Sequence, residues 1–291
     1  MKVTGFSIVR NAIKFDYPIV EAIQSVLPLC DEFVVAVGQS DDDTLALIQR
    51  INSTKIRIVE TVWDDSLRSG GQVLAVETNK ALAAVSADTD WAFYIQGDEV
   101  FHERYIPAVR QAMERYLDQP DVEGLLFKYL HFYGSYQYIG DSPQWYRHEI
   151  RIIRNTGNVI AYRDAQGFRT KDNQKLHVKP VDAYVYHYGW VKPPEVQQEK
   201  IAGTRRFWHN DDQPAQPQQA PDPFDYSTID ALAEFKDSHP AVMQPRIDAQ
   251  HWQFNFNIRE KKYSFKNRLK IVVERLTGWR MGEYRNYKLL R

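Results

Sequence analysis

Residues 91–101 read Trp-Ala-Phe-Tyr-Ile-Gln-Gly-Asp-Glu-Val-Phe. The first five, Trp91 to Ile95, make an apolar and aromatic run of the kind that forms a strand buried on both faces. The run stops at Gln96-Gly97-Asp98-Glu99. A small residue and two carboxylates at the carboxyl end of a buried strand mark the place where open α/β sheets bind ligands. Adjacent acids there suit a hard divalent cation with oxygen ligands, and such a cation commonly carries phosphates. The plainer alternative is an acidic turn that ends a strand.

Upstream, the same kind of unit recurs. Val3 to Val9 reads as a strand ended by Arg10-Asn11, and Asp16 with Pro18 marks a helix start. Ile19, Val20, Ile23, Val26 and Leu27 follow at helical spacing, and Pro28 stops the pattern. Phe33 to Val37 is a second buried strand running into Gly38-Gln39-Ser40-Asp41-Asp42-Asp43-Thr44, which caps a helix over Leu45 to Ile51. Ile56 to Val62 is a third strand, followed by Asp64-Asp65, Gly70-Gly71 and a helix over Gln72 to Val85. This alternation predicts an α/β fold built on a parallel sheet with right-handed crossovers. No Gly-x-Gly-x-x-Gly follows the first strand, which argues against a dinucleotide site.

Downstream, a helix over Ile106 to Leu117 precedes an aromatic, strand-like stretch from Gly124 to Tyr138. Glu149 to Arg154 and Ala183 to Tyr188 alternate as half-buried strands do. They predict an antiparallel extension of the sheet that forms the second half of a cleft. Residues 213–223 are Pro/Gln-rich and read as an exposed loop. Residues 259–291 hold eleven Lys and Arg against three Glu. The segment's Phe265, Leu269, Val272, Val273 and Leu276 at helical spacing suit either an anionic membrane surface or a seat on the chain's own domain. The second is the commoner arrangement and is the expectation here.

The whole chain of 291 residues has a formal charge of −1, which argues against a nucleic-acid partner held by bulk charge. Seven Trp and 17 Tyr supply rings that stack on sugars or bases. The single cysteine, Cys30, excludes an internal disulfide and a Cys-based zinc site, so the expected compartment is reducing and cytoplasmic. The N-terminus reads as a strand, not a signal peptide, and no apolar run is long enough to span a membrane.

Taken in order, three pieces resemble the family-2 glycosyltransferases, inverting enzymes with the GT-A fold. They are residues 6–44 (FSIVRNAIKFDYPIVEAIQSVLPLCDEFVVAVGQSDDDT), Asn79-Lys80-Ala81-Leu82, and YIQGDEV at 94–100. HYGWVKP, residues 187–193, is similar to the end of the catalytic domain in some bacterial members. The resemblance covers roughly residues 1–200, as a catalytic domain with a nucleotide-binding half (1–101) and an acceptor half (102–200). Residues 201–291 then form a C-terminal extension.

The resemblance implies a nucleotide-diphosphate sugar as donor, a divalent ion (Mn2+ or Mg2+), and a glycan or lipid-linked acceptor in surface-polysaccharide or lipopolysaccharide synthesis. Carried over residue by residue, it implicates Ser7, Arg10, Asn11, Ser40, Asp42, Asn79, Gln96 and Gly97 in donor binding. Asp98 takes the place of the metal-binding acid and His187 that of a second metal ligand, while Glu99 assists the metal or meets the acceptor. Gln96 departs from the family, which usually has Asp there; Gln hydrogen-bonds a hydroxyl but adds no charge. The second strand also ends in Val37-Gly38 where many relatives have acids.

Inverting transfer needs a carboxylate to deprotonate the acceptor hydroxyl. Glu149 and Asp164 are the candidates by placement. Each is otherwise a surface acid paired with a neighbouring arginine. Trp145, Tyr146, Trp190 and Trp208 are candidates for an acceptor platform, and Arg68, Lys80, Lys192 and Lys200 for phosphate contacts. A solvated or packed role is the alternative for each. His187 could equally be a packed strand residue between Tyr186 and Tyr188. A sugar-nucleotide or glycan-binding module without catalysis is the competing function.

Overall fold

The computed structural model describes residues 1–208 and 222–290. In chain order its main elements begin β1 (Val3–Val9), α1 (Ile19–Val26), β2 (Glu32–Gly38), α2 (Thr44–Gln49), β3 (Ile56–Thr61), α3 (Gln72–Ala83) and β4 (Trp91–Tyr94). There follow β5 (Glu99–Phe101), α4 (Ile106–Arg115), β6 (Gly124–Tyr133), β7 (Ser135–Gly140), β8 (His148–Arg154), β9 (Val159–Tyr162) and β10 (Gly167–Thr170). The chain continues with β11 (His177–Trp190), α5 (Pro194–Thr204), β12 (Leu232–Glu234), α6 (Gln244–Asp248), α7 (Phe265–Thr277) and β13 (Lys288–Leu289).

The α/β class is as expected. Strands β3, β2, β1 and β4 run parallel in that spatial order. Alternation within each strand feeds two layers. Phe33, Val35, Val37, Trp91, Phe93 and Ile95 face α1, while Val34, Ala36, Ala92 and Tyr94 face α3. Burial on both faces is what their unbroken apolar runs require. Beyond β4 the sheet turns antiparallel through β8, β6, β7 and β12. Strand β11 joins parallel to β6 and antiparallel to β5. The strand order reverses between β1 and β4, so their carboxyl ends open a crevice.

Three differences from expectation have local causes. The aromatic stretch after Gly124 is a hairpin, because Gly134 turns the chain at φ 73° with the Phe254 ring packed where a side chain would go. Strand β11 is longer than the alternating Ala183–Tyr188, because it begins in the polar residues His177, Lys179 and Asp182 and slips register against β6 after Pro180. The α7 stripe faces outward rather than into the domain: Phe265 is 85% exposed and Leu276 81%. The segment after residue 200 also contributes β12 and β13 to the main sheet. The Pro/Gln-rich loop expected at 213–223 lies outside the described residues except for its last two.

Candidate functional site

A cleft of about 1060 Å³ lies over the crevice. Its floor is Ile8 to Asn11 after β1 and Gln96 to Asp98 after β4. Asn11 takes a left-handed φ of 54°, which Asn tolerates better than most residues. Its backbone N–H donates to Ser40 Oγ (2.9 Å), and its side chain exchanges hydrogen bonds with Asp41 (2.8 and 3.3 Å). The ends of β1 and β2 are thereby tied together, with Asp41 in the cleft. Arg10 reaches Asp65 (3.1 Å) and lies 5.7 Å from the Trp63 ring. Gln96 donates to the Ala165 carbonyl (3.2 Å), which joins the floor to the β9–β10 turn where Asp164 sits. Burial raises the Asp164 carboxyl above the usual range.

At the centre, Asp98 Oδ2 accepts from Lys200 Nζ at 3.2 Å and lies 3.7 Å from His187 Nε2. Burial pushes the Asp98 carboxyl up, but the Lys200 ammonium, with His187 and Lys192, overrides it and holds the acid well below the carboxylate range. Gly189 makes this convergence possible. A side chain there would stand 2.7 Å from both Asp98 Oδ2 and the His187 ring. Lys200 also donates to the Gly189 carbonyl (3.0 Å) and lies over the Tyr17 ring (4.8 Å). Lys192 is fully buried behind them, donating to the Phe15 carbonyl at 2.7 Å.

The orientation of His187 follows from its neighbour. His131 Nε2 is 2.7 Å from the Tyr146 carbonyl, and a carbonyl only accepts, so that nitrogen carries the proton. Burial lowers His131 to about 3, so the ring is neutral and its Nδ1 is an acceptor. That atom lies 3.3 Å from His187 Nδ1, which therefore donates. Burial also lowers His187, against the pull of Asp98 and Glu99, and its Nε2 faces the cleft. His187 Nε2 and the Asp98 carboxylate face each other across 3.7 Å, with the Lys200 ammonium beside the carboxylate. The donor set, one carboxylate and one imidazole over a glycine, fits a divalent ion that takes its remaining ligands from diphosphate and water. Among the described residues no group of three or more His, Cys, Asp or Glu is placed to hold an ion without such a ligand.

Of the residues singled out in the sequence, Arg10, Asn11, Gln96, Gly97, Asp98, Asp164, His187, Trp190 and Lys200 line the cleft, as does Trp208. Others do not. Ser7 is buried inside the sheet. Ser40 braces Asn11, and Asp42 accepts from the Lys14 and Thr44 backbone amides at the start of α2. Asn79 is spent on the Ala161 amide (2.8 Å). Lys80 pairs with Glu77 and Arg68 donates to the Asp65 carbonyl. Glu99 is fully buried on Arg151, and Glu149 is buried against Gln166.

Trp145 stacks on His131 and lines a second cavity of about 650 Å³ beside α7, together with Tyr146. Tyr17, Asp41, Trp63 and His131 were not anticipated. His131 is the direct register partner of His187, and only the parallel pairing of β6 with β11 brings the two rings together.

No protein-family model and no curated protein matches this sequence. Solved structures do match in part. Over 69% of this chain and 63% of that one, the chain is similar to S. aureus TarS 1-349, at 14% identity and a TM-score of 0.40. It is also similar to glucosyl-3-phosphoglycerate synthase from Mycobacterium tuberculosis, in complex with Mn2+, uridine diphosphate and glucosyl-3-phosphoglycerate. There the match covers 46% of this chain and 45% of that one, at 22% identity and a TM-score of 0.31. The chain thus spans less than two thirds of the length of either. Scores this low carry no weight for function, which rests on the cleft itself.

Proposed function

We propose that the chain is a glycosyltransferase. It moves a sugar, with inversion, from a nucleotide-diphosphate donor to a glycan or lipid-linked acceptor of surface-polysaccharide synthesis, on the cytoplasmic side. The observation that carries this reading is the convergence of Asp98, His187 and Lys200 over Gly189, at the carboxyl ends of the parallel strands.

In this reading Asp98 and His187 would hold a divalent ion, which would supply Lewis-acid stabilisation of the charge on the leaving diphosphate. Lys200, already positive beside Asp98, turns to a phosphate oxygen when the donor is bound. The Asn11–Asp41 linkage and the Arg10–Trp63 pair present the nucleotide wall. Asp164 lines the cleft, and its raised pKa suits a base that takes the proton of the acceptor hydroxyl. Glu149 is not among the residues that line the cleft, which supports Asp164 over Glu149 for the base role. Trp190 and Trp208 offer stacking faces for sugar rings.

Calorimetric titration with nucleotide diphosphates, with and without manganese, tests the donor site. The panel starts with uridine diphosphate, the nucleotide held in the M. tuberculosis structure. One nucleotide is expected to bind in a manganese-dependent way, and Asp98→Ala to weaken it more than about tenfold. Unchanged manganese-dependent affinity would remove Asp98 from the site. Asp164→Asn is expected to lower turnover by about 10²–10⁴-fold with donor affinity kept. Full turnover in that variant would place the base elsewhere. Tight donor binding by the parent chain with no turnover on any acceptor would favour a binding module.

A further inference from the structure

We infer that α7 is a docking face for an anionic lipid bilayer, on which the protein lies peripherally. At 3.6 residues per turn, Val272, Phe265, Leu276 and Leu269 fall within about 60° of the helix circumference, in one narrow stripe. All four side chains are at least half exposed, with Phe265 and Leu276 above 80%. Nothing among the described residues covers them.

The charges are arranged around that stripe. Lys266 borders one edge, Arg268 and Arg275 the other, while Lys270 lies further round, half-buried near Gly282. The helix's one acid, Glu274, points the other way and pairs with Arg147 on the domain. Exposed Trp279 continues the apolar line past Gly278, which ends the helix in a left-handed turn. Tryptophan at the end of an apolar stripe suits the headgroup level of a bilayer.

The opposite side of the helix lies over the second cavity and pairs Glu274 with Arg147, and polar contacts at the two ends of the helix complete its hold. Ser264 caps it through the Asn267 amide, Lys261 reaches Asp141 (2.8 Å), and Arg280 donates to the Trp145 carbonyl (2.8 Å). The helix is therefore fixed on the domain with its apolar stripe outward and exposed Lys266 and Arg268 on either side of it. A protein partner would call for acids interleaved with the stripe or a broader apolar area. A surface of negative headgroups over hydrocarbon matches a narrow apolar line flanked by cations. Among the described residues no helix is long and apolar enough to cross a membrane, so the contact is a surface one. This inference stands apart from the glycosyl-transfer reading.

Flotation of the full chain with vesicles tests it. Binding to phosphatidylcholine vesicles containing phosphatidylglycerol is expected, with little binding to phosphatidylcholine alone and release at high salt. Phe265→Ser with Leu276→Ser should weaken binding at least tenfold. Lys266→Gln with Arg268→Gln should weaken it about fivefold per charge removed. Every replaced side chain is exposed, so circular dichroism should show the fold unchanged. Equal partition onto both vesicle types would overturn the inference, as would parental binding by the Phe265/Leu276 variant. So would sedimentation showing that this stripe pairs two copies of the chain in place of lipid binding.

Discussion

Arg151→Ala is expected to cost about 3–5 kcal/mol of folding stability, the range for removing one partner of a buried ion pair. Arg151 and Glu99 are both fully buried. The guanidinium meets the carboxylate through two hydrogen bonds, Nε to Oε2 (2.8 Å) and Nη2 to Oε1 (2.7 Å). Its third nitrogen donates to the Ile150 and Gln166 carbonyls. Tyr129 and the Gln96 amide complete the carboxylate's partners.

Alanine would leave Glu99 charged, dry and without its counter-charge. It would also empty the space between the Tyr94 and Tyr129 rings, which lie 5.4 and 5.3 Å from the guanidinium carbon. Urea unfolding measures the loss. Replacing both partners with apolar residues, Arg151→Met with Glu99→Leu, should recover most of it, because no charge is then stranded. A single-variant loss under about 1 kcal/mol would mean that water reaches the pair. Glu99 also accepts from the amide that begins the Gln96–Asp98 turn, so the single variant should loosen donor binding as well.

Glu149→Gln is expected to stabilise the protein, increasingly so as pH rises. Burial pushes the Glu149 carboxyl up to about 8, against the pull of Arg151 and the Gln166 hydrogen bond. A group whose folded pKa is raised gives its full stabilisation below its unfolded pKa and loses it as pH climbs through the folded one. Between the ordinary carboxylate range and about pH 8, stability should therefore fall by about 1.4 kcal/mol per unit from this residue. Glutamine keeps the shape and a hydrogen bond to Gln166 but has no proton to lose. The difference between variant and parent should be near zero in mild acid and reach a few kcal/mol above neutrality, read from urea unfolding across that window. A difference that stays flat with pH would show that Glu149 is already ionised in the fold. Turnover should survive the change, since the residue does not line the cleft.

Much of the parallel half was legible because each strand is a short apolar run ended by small and acidic residues. Trp91 to Ile95 is the clearest, and the cleft opens where that run ends. The antiparallel half was harder. Gly134 is a single turn residue inside an aromatic run, and β11 crosses Lys179, Pro180 and Asp182 without an alternating pattern.

In the site, Asp98 is legible from its place after a strand and His187 from the family resemblance, and both line the cleft, whereas Glu99, read as assisting the metal or meeting the acceptor, is buried on Arg151. Asp98 sits in the turn before β5 and faces the cleft, while Glu99, the first residue of β5, turns inward to Arg151. Arg151 itself stands at a register shift of β8 against β6, which no alternating pattern reveals. What no local pattern reveals is which strands lie side by side, and so His131 stayed hidden behind His187.

The spacing of Asp98 and Lys200, 102 residues along the chain, has a consequence for synthesis on the ribosome. The first half emerges with its acid but without its counter-charge. His187 and the α5 wall, which carries Lys200, also lie in the later part of the chain. A nascent or prematurely ended chain thus carries a solvated Asp98 on a sheet whose β4 lacks its β8 neighbour. Such a fragment has no pocket to occupy, so substrate cannot be engaged before translation has passed the middle of the protein. Pieces cut near residue 101 should serve poorly as stand-alone nucleotide binders, because the cleft also takes its lining from Asp164, His187 and α5.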